Sequence, residues 1–238
     1  MKERGILFTP TNYDLCVSGA KTQTRRIVKP EPLCDVEWFG QLNTAGPDNG
    51  LWFPMKGNPK DCDEWVQADG DTVRCPYGVL GDRMWVRETF SLCTKGSDAL
   101  SGTKYDHPWY RADADEYGLL GHDGLGPVYA EELKWTPSIH MPKDLCRLWL
   151  EITEVRVQRI QEMEGQHPLD SDAIAEGVNR IHHGDGAYYY SAFRNEPHPK
   201  NWVDPTDAFK ELWESINGPG SWDVNPWVWV LRFKVVST

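Results

Sequence analysis

Gly19–Lys29 reads GAKTQTRRIVK. Four cations (Lys21, Arg25, Arg26, Lys29) and two hydroxyls (Thr22, Thr24) fall within these eleven residues. Before it, GILFTP (5–10) reads as a short apolar strand ended by Pro10, and NYDLCVSG (12–19) as a short helix capped by Thr11 or Asn12 and stopped by Gly19. KTQTRRIV (21–28) then alternates weakly as a second strand, closed by Pro30 and Pro32. Residues 1–29 carry six basic side chains against Glu3 and Asp14, in a chain of 238 residues whose formal net charge is −11. A protein that coats duplex nucleic acid is basic over a broad face. This charge distribution argues against that class and leaves a small local site for one anion or one nucleotide.

Downstream, short ordered stretches alternate with long polar ones. Residues 31–75 are rich in Pro, Gly, Asn, Asp and Trp without a helical period. CPYGVLGDRMWVRETF (75–90) turns at Gly78, Gly81 and Asp82 and continues as a strand. Residues 91–127 are again Gly- and Asp-rich, and WTPSIHMPKD (135–144) is extended between prolines. RLWLEITEVRVQRI (147–160) alternates cleanly, with a phase shift near Thr153–Glu154 that predicts a bulge. DSDAIAEGV (170–178) predicts a helix capped by Asp170 or Ser171 and ended by Gly177. PTDAFKELWESING (205–218) predicts another, with Thr206 as cap and apolar residues at 209, 212, 213 and 216. NPWVWVLRFKVV (225–236) closes as a strand. The order predicts an α+β protein: a mostly antiparallel β-barrel with a few flanking helices, not βαβ units.

The length fits one domain over residues 1–238, enlarged by insertions at about 31–74, 91–134 and 179–204. Twelve Trp point to an aromatic interior or a stacking surface. No run reaches the ~20 apolar residues that span a bilayer, and residues 1–20 do not have the form of a signal peptide. A cytoplasmic protein without membrane association is expected, and its six Cys are expected as thiols.

Strand, helix and GAKTQTRR at the start, GDRMWVRETF, LEITEVRVQRI before a helix bearing AEG, and a final WVWVLRF strand together resemble the ASCH family. That family belongs to the PUA-like superfamily of small β-barrels, so the resemblance implies such a barrel. It covers most of the chain outside 31–74, 91–134 and 179–204. Gly19, Lys21 and Arg26 match the family's Gly-x-Lys-x-x-x-x-Arg pattern, with Thr24 where Glu often stands. KTQTRR, CPYG, SIHMP and INGPGSW are similar to phage- and prophage-encoded members, which would place the protein in a bacterial host cytoplasm. One branch of the family hydrolyses N4-acetylcytidine to cytidine with a Lys and a Thr three residues apart and a Glu in a later helix. Lys21 and Thr24 match that spacing, and Glu176 is the matching Glu.

The chemistry is coherent in its own right. Cleaving an amide needs a nucleophile, a base and charge stabilisation. Thr24 is a weak nucleophile that needs a base; Lys21 serves if desolvation or the neighbouring Arg25 and Arg26 lower its proton affinity. Glu176 shuttles a proton or orients the lysine. In a regular strand Lys21, Gln23 and Arg25 share one face and Thr22, Thr24 and Arg26 the other, so Lys21 and Thr24 converge only where a helix end or bulge turns the chain. The same cations also fit a solvated basic edge strand that discourages edge-to-edge pairing.

Further candidates for substrate binding are Arg25 and Arg26, whose forks suit phosphate, and Arg87 or Glu88 at the barrel mouth, which equally suit an Arg–Glu surface pair. Tyr110 and Arg111 suit base stacking and phosphate contact, or loop packing. Ser138 and His140 come from SIHMP, where His140 fits a base-edge donor or a structural role. There is no Cys-x-x-Cys, and His182–His183 has no evident partner; Cys34, Cys62 and Cys75 would have to meet in the first insertion to bind zinc. No metal or other cofactor is expected. The leading function is a metal-independent amidohydrolase acting on an N4-acetylcytidine-type nucleoside. The alternatives are a non-catalytic module binding RNA or a modified base, a single-stranded RNA nuclease, and a phage protein binding a host factor through its insertions. The expected partners are a nucleoside or single-stranded RNA.

Overall fold

The computed structural model describes residues 1–29, 36–41, 50–56, 66–67, 72–92, 108–115, 118–122, 127–165 and 170–236. Its centre is a five-stranded sheet. In chain order the strands are β1 (Glu3–Leu7), β2 (Gln23–Ile27), β3 (Arg83–Arg87), β4 (Trp149–Arg159) and β5 (Trp227–Val236). In space they run β1-β3-β4-β5-β2. β1 and β3 are parallel, with Gly5 opposite Trp85; the remaining pairs are antiparallel, with Leu231 of β5 facing both Val155 and Thr24. The register of β4 shifts between Ile152 and Glu154, the predicted bulge.

Alternation along β5 divides the core. Trp227, Trp229, Leu231 and Phe233 face one cluster, which includes Ile6, Phe8, Met84, Leu150 and Ile152 and is covered by the hairpin Trp38–Gln41/Leu51–Lys56. Val228 and Val230 face the other, formed with α3 (Pro205–Asn217) through Ala208, Phe209 and Trp213. Both faces of a central strand are therefore apolar, as burial on two sides requires.

Helix ends explain several boundaries. α1 (Pro10–Val17) is capped by Thr9, whose hydroxyl accepts from Asn12 N, so neither Thr11 nor Asn12 is the cap. Pro10 opens this helix because the first helical turn has no partner for its N–H. α3 likewise starts two residues earlier than a Thr206 cap implies: Asp204 is the cap and accepts from Thr206 N at 2.7 Å, and Pro205 takes the first position. α2 (Asp172–Ala175) is capped by Ser171, one of the two expected residues. The extended reading of 135–144 gives way to two 3-10 turns, Ser138–His140 and Lys143–Leu145, each entered through a proline.

Among the described residues no backbone ladder joins β1 to β2, so the sheet is open and the expected closed barrel is not observed. Its edges nevertheless approach. Arg26 Nη2 of β2 donates to the Leu7 carbonyl of β1 at 2.8 Å, and its guanidinium lies 5.7 Å from the Phe8 ring. No described helix is long and apolar enough to cross a membrane.

Candidate functional site

The turn between α1 and β2 is clamped from three sides. Lys21 N donates to the Leu15 carbonyl, Thr22 N to the Ala175 carbonyl, and Phe233 N to the Thr22 carbonyl, all at 2.8–2.9 Å. Lys21 thus lies beneath the end of α2, 4 % exposed. α2 stops because Gly177 adopts φ +99°, and a Cβ at that position would lie 2.8 Å from Leu15 Cδ1. The stop turns Glu176 inward to meet Lys21.

The meeting is a buried charge network. Lys21 Nζ donates to Glu176 Oε2 at 3.0 Å and to the Glu176 carbonyl at 2.6 Å. Arg25 forks between two carboxylates, with Nη1 to Glu176 Oε1 at 3.0 Å and Nη2 to Asp172 Oδ2 at 2.6 Å. Gln23 Nε2 donates to Asp172 Oδ1 at 3.2 Å. Lys21, Gln23 and Arg25 therefore share the face turned to α2, as strand alternation predicts. Arg156 and Arg232 approach Asp172 from the solvent side. Burial pushes the carboxyls of both acids up, but the cations win. Arg25 and Arg156 bring Asp172 down to about 2, and Lys21 with Arg25 hold Glu176 below the ordinary glutamate value. Nearby Cys16 is not a competing nucleophile near neutral pH, since burial pushes its thiol up to about 12.

A cavity of about 300 Å³ opens against this network. Lys21, Thr24, Arg25 and Glu176 are its buried polar lining, Arg26 of β2 and Lys29 just past it add two more cations, and Phe209, Leu212, Trp213 and Ile216 of α3 line it together with Tyr77. It is of the size that takes one small ligand. Thr24 and Lys21 line the same space, but no hydrogen bond joins their side chains; the lysine ammonium donates to Glu176.

The other predicted residues gather elsewhere. Arg87, Glu88, Tyr110, Arg111, Ser138 and His140 do not line this cavity, because β3 is separated from β2 by β4 and β5. Glu88 is buried and takes both bonds of an Arg147 fork, at 2.7 and 3.1 Å; burial still leaves its carboxyl above the ordinary value. Tyr110 donates to the Leu145 carbonyl and stacks under Arg147 at 3.9 Å, with burial raising its phenol to about 12. Arg87 lies over Trp85 and donates to the Ile139 carbonyl, and Arg111 lies over Trp135. Ser138 opens a 3-10 turn, and His140 ends it, exposed. This second cluster is built for packing between the 108–115 segment and the core.

Sequence reasoning missed Asp172 and Arg147. Asp172 lies inside the predicted helix 170–178 with no role assigned to it, and the only signal is its spacing of four from Glu176, which places both on one helix face. Tyr77 and the α3 wall gave no signal beyond hydrophobic period. Cys75 is a buried free thiol; Cys34 and Cys62 lie outside the described residues. Comparison of the chain with family models, with curated proteins and with solved structures finds no match.

Proposed function

We propose that the chain is an amidohydrolase of ASCH type on a PUA-like scaffold, removing the acyl group from an N4-acylated cytidine such as N4-acetylcytidine. One observation carries this reading: Lys21 and Glu176, 155 residues apart, are hydrogen-bonded at 3.0 Å, both nearly buried, on the wall of a cavity that Thr24 also lines. The near approach of the two sheet edges through Arg26 and Leu7 supports the barrel-like scaffold.

In the proposed reaction Thr24 Oγ1 attacks the acyl carbon and its proton passes to the Lys21 amine. The bond from acyl carbon to N4 breaks as N4 takes a proton, leaving cytidine and an acyl ester on Thr24. Water then attacks that ester, the carboxylic acid leaves, and Thr24 recovers its proton. Nucleophile, base and proton carrier are all side chains, so these steps route through no metal. Lys21 must be a neutral amine to act. The proton reaches Glu176 Oε2 along the existing hydrogen bond, turning ammonium and carboxylate into amine and acid with no change in total buried charge. Arg25 opposes this by favouring the carboxylate, so the neutral pair is the less populated form that the reaction draws on. Tyr77 and the α3 wall suit the base.

A second reading has its own observation. Lys21 is engaged by Glu176 and is not hydrogen-bonded to Thr24; a site so arranged binds a modified base without reacting. The test is chromatographic detection of cytidine from N4-acetylcytidine. Release by wild type that is lost in Thr24→Ala supports hydrolysis. Saturable binding of the ligand without release supports the binding module.

A further inference from the structure

The cations of the cavity divide into two kinds. Lys21 is paired with Glu176, and Arg25 with Glu176 and Asp172. Arg26 and Lys29 have no carboxylate partner among the described residues, although the chain carries 36 acidic side chains. Among the described residues Arg26 donates one hydrogen bond, to the Leu7 carbonyl, which leaves most of its five N–H donors uncommitted. Lys29 is exposed. Both line the same cavity as Lys21 and Thr24.

Spacing gives these charges a meaning. At about 3.3 Å per strand residue, Arg26 stands ~7 Å beyond Thr24 along β2, and Lys29 follows two residues past the strand's end at Ile27. That distance is on the scale of one nucleoside, from the edge of its base to its sugar hydroxyls, and Lys29 is the more exposed of the two cations. An apolar wall, a polar inner end and two uncompensated cations further out make a polarised slot, with neutral ligand inside and anion outside. An electroneutral nucleoside leaves both outer cations unused.

We propose that Arg26 and Lys29 form a phosphate subsite, so that the ligand is a phosphorylated cytidine, with its phosphate as a monoester or as part of a short strand, in preference to the free nucleoside. This rests on the cavity being the nucleoside site proposed above, but not on any bond being cleaved there. The competing role for the same two charges is protection of β2, which is an edge strand of the sheet.

Calorimetric binding to the Thr24→Ala protein separates these roles without chemistry. The ligands are cytidine, cytidine 5′-monophosphate and a single-stranded RNA pentamer containing one cytidine. The monophosphate is expected to bind roughly ten-fold or more tightly than cytidine, an advantage that shrinks with added salt. If the phosphate comes from a strand, the pentamer shows the gain and the monophosphate does not. In Arg26→Gln/Lys29→Gln the advantage over cytidine is expected to collapse to about two-fold or less. Equal affinity for all three ligands, or an advantage that survives the double substitution, overturns the subsite. Hydrolysis of N4-acetylcytidine with no phosphate preference would remove this subsite and leave the amidohydrolase standing; a phosphate preference without hydrolysis would do the reverse.

Discussion

Asp172 is 1 % exposed and accepts hydrogen bonds from Gln23, Arg25, Arg156 and Arg232. Its work is to hold Arg25, whose other nitrogen holds Glu176. Because its folded-state value lies near 2 against an ordinary 3.8, its charge contributes roughly 2 kcal/mol of stability. The contribution is fully present above about pH 4 and is lost as pH falls toward about 2. Glu176, also lowered, has the same sign. Denaturant titrations between about pH 5 and 2 are expected to show wild type losing stability steeply, and Asp172→Asn losing it less. The variant should also be weaker at neutral pH, by up to about 3–5 kcal/mol, since the buried Arg25 guanidinium keeps only one of its two carboxylates. Parallel curves for the two proteins would contradict this role.

Among elements, α2 is the one that assembles the site, and it is four residues long. Its end at Gly177 carries Glu176 to Lys21, and φ +99° there is open to glycine and strained for other residues. Gly177→Ala is expected to cost about 1–3 kcal/mol in thermal or chemical unfolding, and more activity than stability, because Leu15 and Glu176 must shift together. Unchanged unfolding would show that the turn tolerates a side chain. The elements show why the sequence was legible in parts. The β4 bulge was visible because alternation slips at Thr153, and α3 because its apolar period is long. The Lys21–Glu176 pairing was reached through the family resemblance; nothing local signals a contact across 155 residues. Asp172 and Arg147 escaped because a charged residue looks the same in sequence whether it faces water or a buried partner. The closed barrel was inferred from the order of elements along the chain, which fixes neither which strands pair nor whether the sheet's edges join: β2 pairs with β5, and β1 with β3.

At the scale of the molecule, two charge clusters fasten different parts of the chain to one sheet. The Lys21–Arg25–Glu176–Asp172 network joins α2 to β2, and the Arg147 cluster joins the 108–115 segment and α1 to β3. Arg147 takes Glu88 and Asp113 on its fork and lies over Tyr13 and Tyr110. Arg147→Leu is expected to leave Glu88 buried and unpaired and to cost about 3–5 kcal/mol. Hydrogen exchange should then rise in 108–115 before it rises in β4 or β5; uniform protection across the chain would contradict a local fastening. The central claim concerns the first network. The most direct measurement is the rate of cytidine release from N4-acetylcytidine by wild type, Lys21→Ala, Thr24→Ala and Glu176→Gln, each shown to be folded by circular dichroism. Turnover by wild type is expected, with a loss of about 10²-fold or more in each variant; no release by wild type, or equal rates in all four proteins, would contradict an amidohydrolase built on these three residues.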